Sequence, residues 1–443
     1  MKTTIFAVQL AMFEGLFTMR SKAAVSWVMM ALLLSSGLIS GCRSDAQSPA
    51  QTPPALTTQT ETPIAASPSL PQVAPTLTAT ERSLLKQSWE AYRQRFIQAD
   101  GRVIDWEASA RSTSEGQAYA MLRSVLIDDP KTFELTLMWA EKNLRRDKPS
   151  ADHLWAWKWG QSGQKQWGLI DRNFASDADV DAITALILAS RRWQRPDYLQ
   201  LAQTKLRDLW ALAIVPVGEQ RYLLPGPREA FQPPNKLLLN PSYFSPAAFR
   251  LFAQVDPAHD WLSLVNSSYQ MLDDSAVLST LQLPSDWVAL DTETKQFQSL
   301  LGAEPVFSRY GFDAYRVWWR LALDANWYGE PRAKRYLQQH LSPLQKLWRS
   351  QQKIPAQIDL QGKPTAAYDS TAQYGGLYAA FRLVDPPTAE AIYQTKIMPQ
   401  YRDGIWDNNT AYYTQNLVWF GLIASTAIDA SLLHPANVTP THP

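Results

Sequence analysis

From residue 78 onward, apolar residues recur at the spacing of helices rather than strands. Thr78-Ala79-Thr80-Glu81 has the spacing of a capping box, and Leu84, Leu85, Trp89, Tyr92 and Phe96 follow on one helical face. Asp129-Pro130 sets an N-cap residue and an N1 proline ahead of Phe133, Leu137, Ala140 and Leu144. Tyr198, Leu201, Leu206, Leu209, Trp210 and Ala213 mark another stripe. Ser245-Pro246 caps a further helix, Trp261 to Leu272 reads as the next, and Arg332 to Leu347 as one more. Thr371 to Phe381 and Tyr412 to Ile423 are small and apolar on every face, which suits tightly packed inner helices. Alternating strand patterns are few and short. The pattern predicts an all-α fold of about a dozen helices without strict repeat, packed helix on helix.

Residues 1–42 depart from this pattern. Arg20 and Lys22 precede an apolar run from Ala23 to Leu38, short for a membrane span and placed as in an export signal. The run ends in Leu38-Ile39-Ser40-Gly41-Cys42, which resembles a bacterial lipobox, where the cysteine becomes the lipidated first residue of the mature protein. Cys42 is the only cysteine in the chain, and a lone thiol in an exported protein asks for such an explanation. The plainer alternative is a signal peptide with an incidental cysteine. The expectation is a lipoprotein-type signal peptide over 1–42 and a protein held by a lipid anchor at a membrane, in the periplasm or on the cell surface. Residues 43–77 are rich in Pro, Thr, Ala, Ser and Gln, with too little apolar area to order themselves, and read as a disordered tether. The folded domain is expected over 78–432, followed by a short tail at 433–443.

Composition narrows the chemistry. Lys and Arg total 42 against 41 Asp and Glu, a formal net charge of +1, so no whole-protein field points to nucleic acid or an anionic polymer. A neutral substrate and a monomeric chain are the simplest expectations. There are 18 Trp, several clustered as Trp155, Trp157, Trp159 and Trp167, and any that reach the surface offer flat faces to sugar rings. The five His are scattered and form no cluster with the single Cys, which argues against a zinc site. No Walker loop, dinucleotide fingerprint or G-x-S-x-G elbow is present, and no cofactor is expected.

Three acidic residues stand at predicted helix starts. Ser114 and Gln117 have the spacing of a capping box, with Glu115 between them. Ser176 and Asp179 are placed to cap a helix running through Ile183, Leu186, Ile187 and Trp193, with Asp177 in its first turn. Asp313 precedes Val317, Trp318, Leu321 and Ala322. Singly, such an acid ordinarily complements the helix dipole, worth about 0.3–1 kcal/mol. If the three helices lie side by side and point the same way, the carboxylates converge at one end of the bundle, as acid/base chemistry requires.

Four segments carry a resemblance. They are Ile104-Asp105-Trp106 with Thr113-Ser114-Glu115-Gly116-Gln117; Ala175-Ser176-Asp177-Ala178-Asp179; Asn240-Pro241-Ser242-Tyr243-Phe244-Ser245-Pro246-Ala247; and Asp313-Ala314-Tyr315-Arg316 with Trp319-Arg320. In this order they resemble glycoside hydrolase family 8, the bacterial endoglucanases, xylanases and chitosanases. The resemblance implies an (α/α)6 barrel of six inner and six outer helices. It assigns Glu115 as general acid and Asp313 as base of an inverting reaction, and implies that Asp177 holds hydroxyls of the distorted sugar, although some descriptions of the family make that aspartate a nucleophile. A helix N-terminus favours ionised carboxylates, whereas an acid must keep its proton. Burial against aromatic rings and the charge of Asp177 are the available causes that would hold it on Glu115.

Arg316 is either a counter-charge that lines the site and keeps Asp313 ionised or an ordinary surface charge, and its spacing from Asp313, which matches the family pattern, favours the site. Arg320 is either a second counter-charge or an ordinary surface charge. Tyr243, Tyr310 and Tyr368 are sugar or water contacts or else satisfied core tyrosines; Trp106 and Trp159 are further candidate substrate contacts. Two positions depart from the family. Phe312 stands where a Tyr is usual before the base, and Asp181-Ala182-Ile183 delays by one position the Ile or Met that tends to follow the aspartate motif. Neither removes a carboxylate. The expected activity is endo-β-1,4-glucanase on cellulose or a related β-glucan. A xylanase or chitosanase of the same family, or a non-catalytic glycan-binding protein on a decayed barrel, are the alternatives.

Overall fold

A computed structural model describes residues 76–146, 151–301 and 306–434. The expected leader with Cys42, the tether as far as residue 75 and the tail from residue 435 lie outside the described residues. Within them, helices alternate between one that keeps a polar face to water and one buried nearly all round. α1 (Ala79–Phe96) opens on the Thr78 box: Thr78 Oγ1 accepts from the Glu81 N–H at 3.2 Å, and Glu81 Oε2 accepts from the Thr78 N–H at 2.8 Å. α2 (Ser114–Ile127) exposes almost nothing of its first three turns. The alternation continues as α3 (Pro130–Asn143) and α4 (Ser176–Arg192), α5 (Pro196–Ala213) and α6 (Pro246–Val255), α7 (Trp261–Ala276) and α8 (Tyr315–Tyr328). It ends with α9 (Pro331–His340) and α10 (Ser342–Gln351) before α11 (Thr371–Val384), then α12 (Pro386–Ile392) and α13 (Tyr412–Ala424).

The buried members α2, α4, α6, α8, α11 and α13 pack on one another in that order. The ring closes where α13 meets α2: Arg123 Nη1 donates to Asn416 Oδ1 at 3.1 Å, and Tyr119 meets Phe420 edge to face. α3, α5, α7, α9 and α12 each return along the inner helix before them, and α1 covers α13 and α2. This is the expected (α/α)6 barrel, with one outer position filled by the pair α9 and α10. Inner helices touch neighbours on every side, which is why α11 and α13 are small and apolar nearly all round. Contact is closest where α8, α11 and α13 meet. A Cβ on Gly421 would be driven into the Gly375 carbonyl, one on Gly375 would stand 2.7 Å from the Leu417 carbonyl oxygen, and one on Gly376 2.6 Å from that of Tyr315.

Three local expectations are corrected. Arg332 to Leu347 is two helices, not one, because Pro343 lacks an N–H and its ring does not fit a helix interior, so the chain restarts at Ser342. The cap of α2 is Thr113, whose Oγ1 accepts from the Gly116 N–H at 3.1 Å. Gln117 does not close a box there. Its amide turns into the core, Oε1 accepting from the Val103 N–H at 2.6 Å and Nε2 donating to the carbonyls of Gly101 and Thr136. Neither Ser176 nor Asp179 caps α4, because each side chain is taken by a neighbouring loop: Ser176 Oγ donates to the Leu224 carbonyl at 2.7 Å, and Asp179 Oδ1 accepts from the Trp155 N–H at 3.1 Å.

Strands of two to five residues join the helices. β1 (Ser112–Thr113), β2 (Lys158–Gln161) and β3 (Trp167–Asp171) form an antiparallel sheet with Ser112 opposite Trp159 and Trp159 opposite Leu169. Because β1 runs straight into α2, this sheet fixes where the α2 N-terminus stands. Among the described residues no helix is long and apolar enough to cross a membrane.

The glycine contacts give a stability prediction. Gly421→Ala forces a methyl into a backbone carbonyl that cannot turn aside, and should cost about 1 to 3 kcal/mol or more in urea unfolding. Gly163→Ala, whose Cβ would meet nothing within 4 Å, should leave the midpoint nearly unmoved. Equal midpoints for the two variants would show that α11 and α13 are less tightly apposed than described.

Candidate active site

Since an outer helix returns between each inner helix and the next, all six inner helices point the same way and their N-termini share one end of the barrel. Glu115 and Asp177 are the second residues of α2 and α4, Asp313 stands two residues before α8, and Tyr412 begins α13. The three carboxylates expected to converge do so, on Arg316 in the first turn of α8. Its Nη1 donates to Glu115 Oε2 and to Asp177 Oδ2, both at 2.8 Å, and its Nη2 to Asp313 Oδ1 at 2.6 Å. Its Nε donates to Ser242 Oγ at 3.1 Å, and the Tyr243 ring lies 5.1 Å from the guanidinium carbon. Ser242 is held in turn by Asn240 Oδ1, which accepts from its N–H and its hydroxyl at 3.0 and 2.7 Å. The Asn240-Pro241-Ser242-Tyr243 segment thus supports the guanidinium from below.

Exposure divides the cluster. The side chains of Arg316 and Asp177 are 2% and 4% exposed, those of Glu115 and Asp313 20% and 32%. Only Glu115 and Asp313 can meet a molecule entering from solvent. Burial raises the Glu115 carboxyl to about 7; Arg316 opposes this and the charge of Asp177 adds to it. Tyr412 also opposes it, donating its hydroxyl to Glu115 Oε1 at 2.5 Å. Burial likewise raises Asp177, against the pull of Arg316. One guanidinium facing three carboxylates in a poorly hydrated space leaves excess negative charge, and a proton on Glu115 relieves it.

One helical turn deeper, Arg320 Nη1 and Nη2 donate to Asp181 Oδ1 and Oδ2 at 2.8 and 2.9 Å, both side chains almost fully buried. Arg320 is therefore a core charge, and its alternative as a surface cation is excluded. Tyr243 lies in the cluster, 4% exposed, with its hydroxyl raised well above the ordinary value by burial. Tyr310 is turned into the core, where its hydroxyl accepts from Trp318 Nε1 at 3.1 Å and Gln373 Nε2 at 3.2 Å; it takes the core alternative. Tyr368 is half-buried, and its hydroxyl has no protein partner among the described residues. Trp106, half-buried, donates Nε1 to the Arg95 carbonyl at 3.1 Å and lies under the Arg95 guanidinium. Trp159, on β2, stacks on Trp167 at 5.1 Å and meets Trp139 edge-on, with Arg102 over both Trp159 and Trp167. Trp167 is the member of that stack that is exposed, at 48%.

Two residues escaped the sequence reading. Tyr412 sits in a stretch whose apolar character announces only an inner helix, and nothing in its neighbours marks the hydroxyl that reaches Glu115. Asp286 lies in Pro284-Ser285-Asp286-Trp287, far from any helix start, and accepts from the Ala314 N–H at 2.9 Å immediately behind Asp313. Burial and then the charge of Asp313 raise its carboxyl to about 7. Phe312, the departure before Asp313, buries its ring against Tyr315, and its carbonyl accepts from the Tyr413 hydroxyl at 2.7 Å. No group of three or more His, Cys, Asp or Glu side chains among the described residues is placed to hold a metal ion. The cluster offers one carboxyl that keeps its proton near neutrality and a second, more exposed carboxylate on the same guanidinium, which is what paired proton donation and acceptance require.

Several known proteins are similar to this chain. An endoglucanase of Xanthomonas axonopodis pv. citri is 35% identical over 273 residues, 61% of this chain and 67% of that protein. One of Salmonella typhi is 28% identical over 338 residues, 75% of this chain and 85% of that protein. The crystal structure of an endo-1,4-D-glucanase from Vibrio fischeri ES114 superposes with a TM-score of 0.66 at 26% identity, covering 76% of this chain and 93% of that one. Residues 64–427 match the family described as Glycosyl hydrolases family 8, and the chain belongs to that family of glycoside hydrolases.

Proposed function

We propose that this member of glycosyl hydrolases family 8 is an endo-β-1,4-glucanase, cutting internal bonds of cellulose or a related β-glucan by a single inverting displacement. The observation that carries the reading is the unequal pair on Arg316: Glu115, kept protonated near neutrality by burial, and Asp313, more exposed and holding the shortest bond to the guanidinium. The names of the relatives, endoglucanases, support a β-glucan substrate. In this reading Glu115 delivers its proton to the glycosidic oxygen as the bond breaks. Asp313 takes a proton from a water that attacks the anomeric carbon from the opposite face, the two carboxyls of such a pair standing about 6.5–9.5 Å apart to admit the water. Arg316 steadies the negative charge left on Glu115 and orients Asp313.

A retaining reaction would require Asp177 as nucleophile. Its Oδ1 accepts from the Ala178 N–H at 2.9 Å and its Oδ2 from Arg316, and it is 4% exposed, so both oxygens are occupied and neither faces solvent. That arrangement suits an aspartate that fixes Arg316. Sequence alone supports a further proposal, that the enzyme is exported and anchored in a membrane by lipid on Cys42.

Hydrolysis of soluble substituted cellulose should lose kcat/KM above about pH 7, since Glu115 must carry its proton and its protonated fraction falls as pH passes its value. Glu115→Gln should reduce turnover by about 10²- to 10⁴-fold without loss of oligosaccharide binding. Turnover within about threefold of the wild type would remove Glu115 from the role.

Proton NMR of fresh product should show the α-anomer first, and Asp313→Asn should abolish turnover. A β-anomer appearing first would indicate a double displacement and return Asp177 to consideration. Reducing-sugar release from cellulose, mixed β-glucan, xylan and chitosan, measured side by side, ranks the substrates; xylan or chitosan as the best of them would overturn the glucanase assignment.

Cys42→Ser should move the protein from the membrane to the soluble fraction of expressing cells. Persistence in the membrane pellet would mean that something other than Cys42 anchors it.

A further inference from the structure

Asp313 is not part of a helix. It lies in the turn Arg309 to Ala314 ahead of α8, and such a segment holds a carboxylate to a fraction of an ångström only if its surroundings pin it. Two sides are pinned through the backbone: Tyr310 exchanges N–H···O bonds with Ile358 at 2.9 and 3.0 Å, and Tyr413 donates to the Phe312 carbonyl. The third side is Asp286. Its own N–H donates to the Arg309 carbonyl at 2.6 Å, its Oδ2 accepts from Arg309 Nε at 3.2 Å, and its Oδ1 accepts from the Ala314 N–H at 2.9 Å. One carboxylate therefore straddles the turn, bonded to residues on both sides of Asp313. The fit admits no side chain between them: a Cβ at Gly311 would stand 2.5 Å from Asp286 Oδ2. Asp286 is 3% exposed, so its part is not contact with substrate.

We propose that Asp286 is a positioning residue for the base: by accepting from the Ala314 N–H and Arg309 it fixes the orientation of the Asp313 carboxylate toward the attacking water. The proposal rests on the reading of Asp313 as base. The peptide after Asp313 is the one bonded, so losing that acceptor frees the rotation that swings the Asp313 side chain, while the contact between Glu115 on α2 and Tyr412 on α13 is untouched. The loss therefore falls on the chemical step rather than on binding.

The test is steady-state kinetics on a soluble β-glucan, with thermal midpoints read in parallel. Asp286→Ala should lower kcat by about 10²-fold with KM within about twofold, the size expected when a reacting group is misplaced by about an ångström. Asp286→Asn keeps an oxygen for the Ala314 N–H and should recover kcat to within about fivefold of the wild type. Gly311→Ala, which retains Asp286 but displaces its carboxylate, should reproduce the loss in kcat, and it carries the test if Asp286→Ala does not fold. Unchanged kcat in Asp286→Ala or in Gly311→Ala overturns the proposal. A rise in KM without loss of kcat does so too, and so does an Asn variant as impaired as Ala. Asp313→Asn assayed alongside separates the two levels: if it turns over, the base assignment itself fails. If it is inactive while Asp286→Ala keeps full kcat, only the role of Asp286 falls.

Discussion

Everything at the open end of the barrel depends on one buried guanidinium. Taking a cation out of water is expensive, and the attraction of its partners repays that only when the geometry is good and the remaining donors are satisfied. Arg316 meets the condition with four bonds from three nitrogens, to Glu115, Asp177, Asp313 and Ser242, with a tyrosine ring beside it. A cluster of this kind adds little to stability that apolar residues of similar volume would not. Its value lies in holding three acids in one small space while only two of them reach solvent.

That space exists because the inner helices are parallel. Their aligned N-termini favour negative charge, an effect of about 0.3–1 kcal/mol per group and up to about 2 in partly buried positions. For Glu115 burial acts the other way and is larger: moving a carboxyl from 4.5 to about 7 disfavours its charged form by roughly 3 kcal/mol. The difficulty posed by an acid at a helix N-terminus is thus resolved by desolvation, with the charge of Asp177 as a smaller contribution. The Tyr412 hydroxyl and Arg316 keep the shift from running further. A proton donor that works near neutrality needs this balance, since a carboxyl held much higher would give up its proton poorly.

The periodic features of the chain were legible because helix burial repeats every three to four residues whatever the partner is. So were Glu115, Asp177 and Asp313, which share the first-turn position, and Arg316, one turn beyond Asp313. Of the two capping boxes, that of Thr78 and Glu81 formed as read and that of Ser114 and Gln117 did not. Ser114 and Gln117 have the right spacing, but β1 carries Thr113 into the cap and the core claims the Gln117 amide, so a tertiary contact overrode a local one. Asp286 and Tyr412 act across gaps of 28 and 297 residues, and no local pattern encodes an approach made only when the ring of helices closes. Tyr310 and Tyr243 were equivalent candidates in the sequence. Only the packing shows that one hydroxyl is spent on Trp318 and Gln373 while the other ring lies beside Arg316.

Asp181, which stands just before the second departure, acquires a meaning in the same geometry. Asp177 and Asp181 are four residues apart on α4, Arg316 and Arg320 four apart on α8, and the bonds run 177 to 316 and 181 to 320. Between α4 and α8 in the ring lies α6, so the two pairs span the barrel interior as successive rungs about 6 Å apart, the rise of four helical residues. Sliding α8 by one turn against α4 would pair at most one acid with one arginine and leave the other two buried and unpaired. Uncompensated buried charges of this kind cost about 3–5 kcal/mol each. The lower rung touches nothing that reacts, yet it selects the one register in which Asp177 and Glu115 share a single nitrogen of Arg316. The close approach of Gly376 on α11 to the Tyr315 carbonyl of α8 resists such a slide on one side, and the ion-pair ladder resists it on the other.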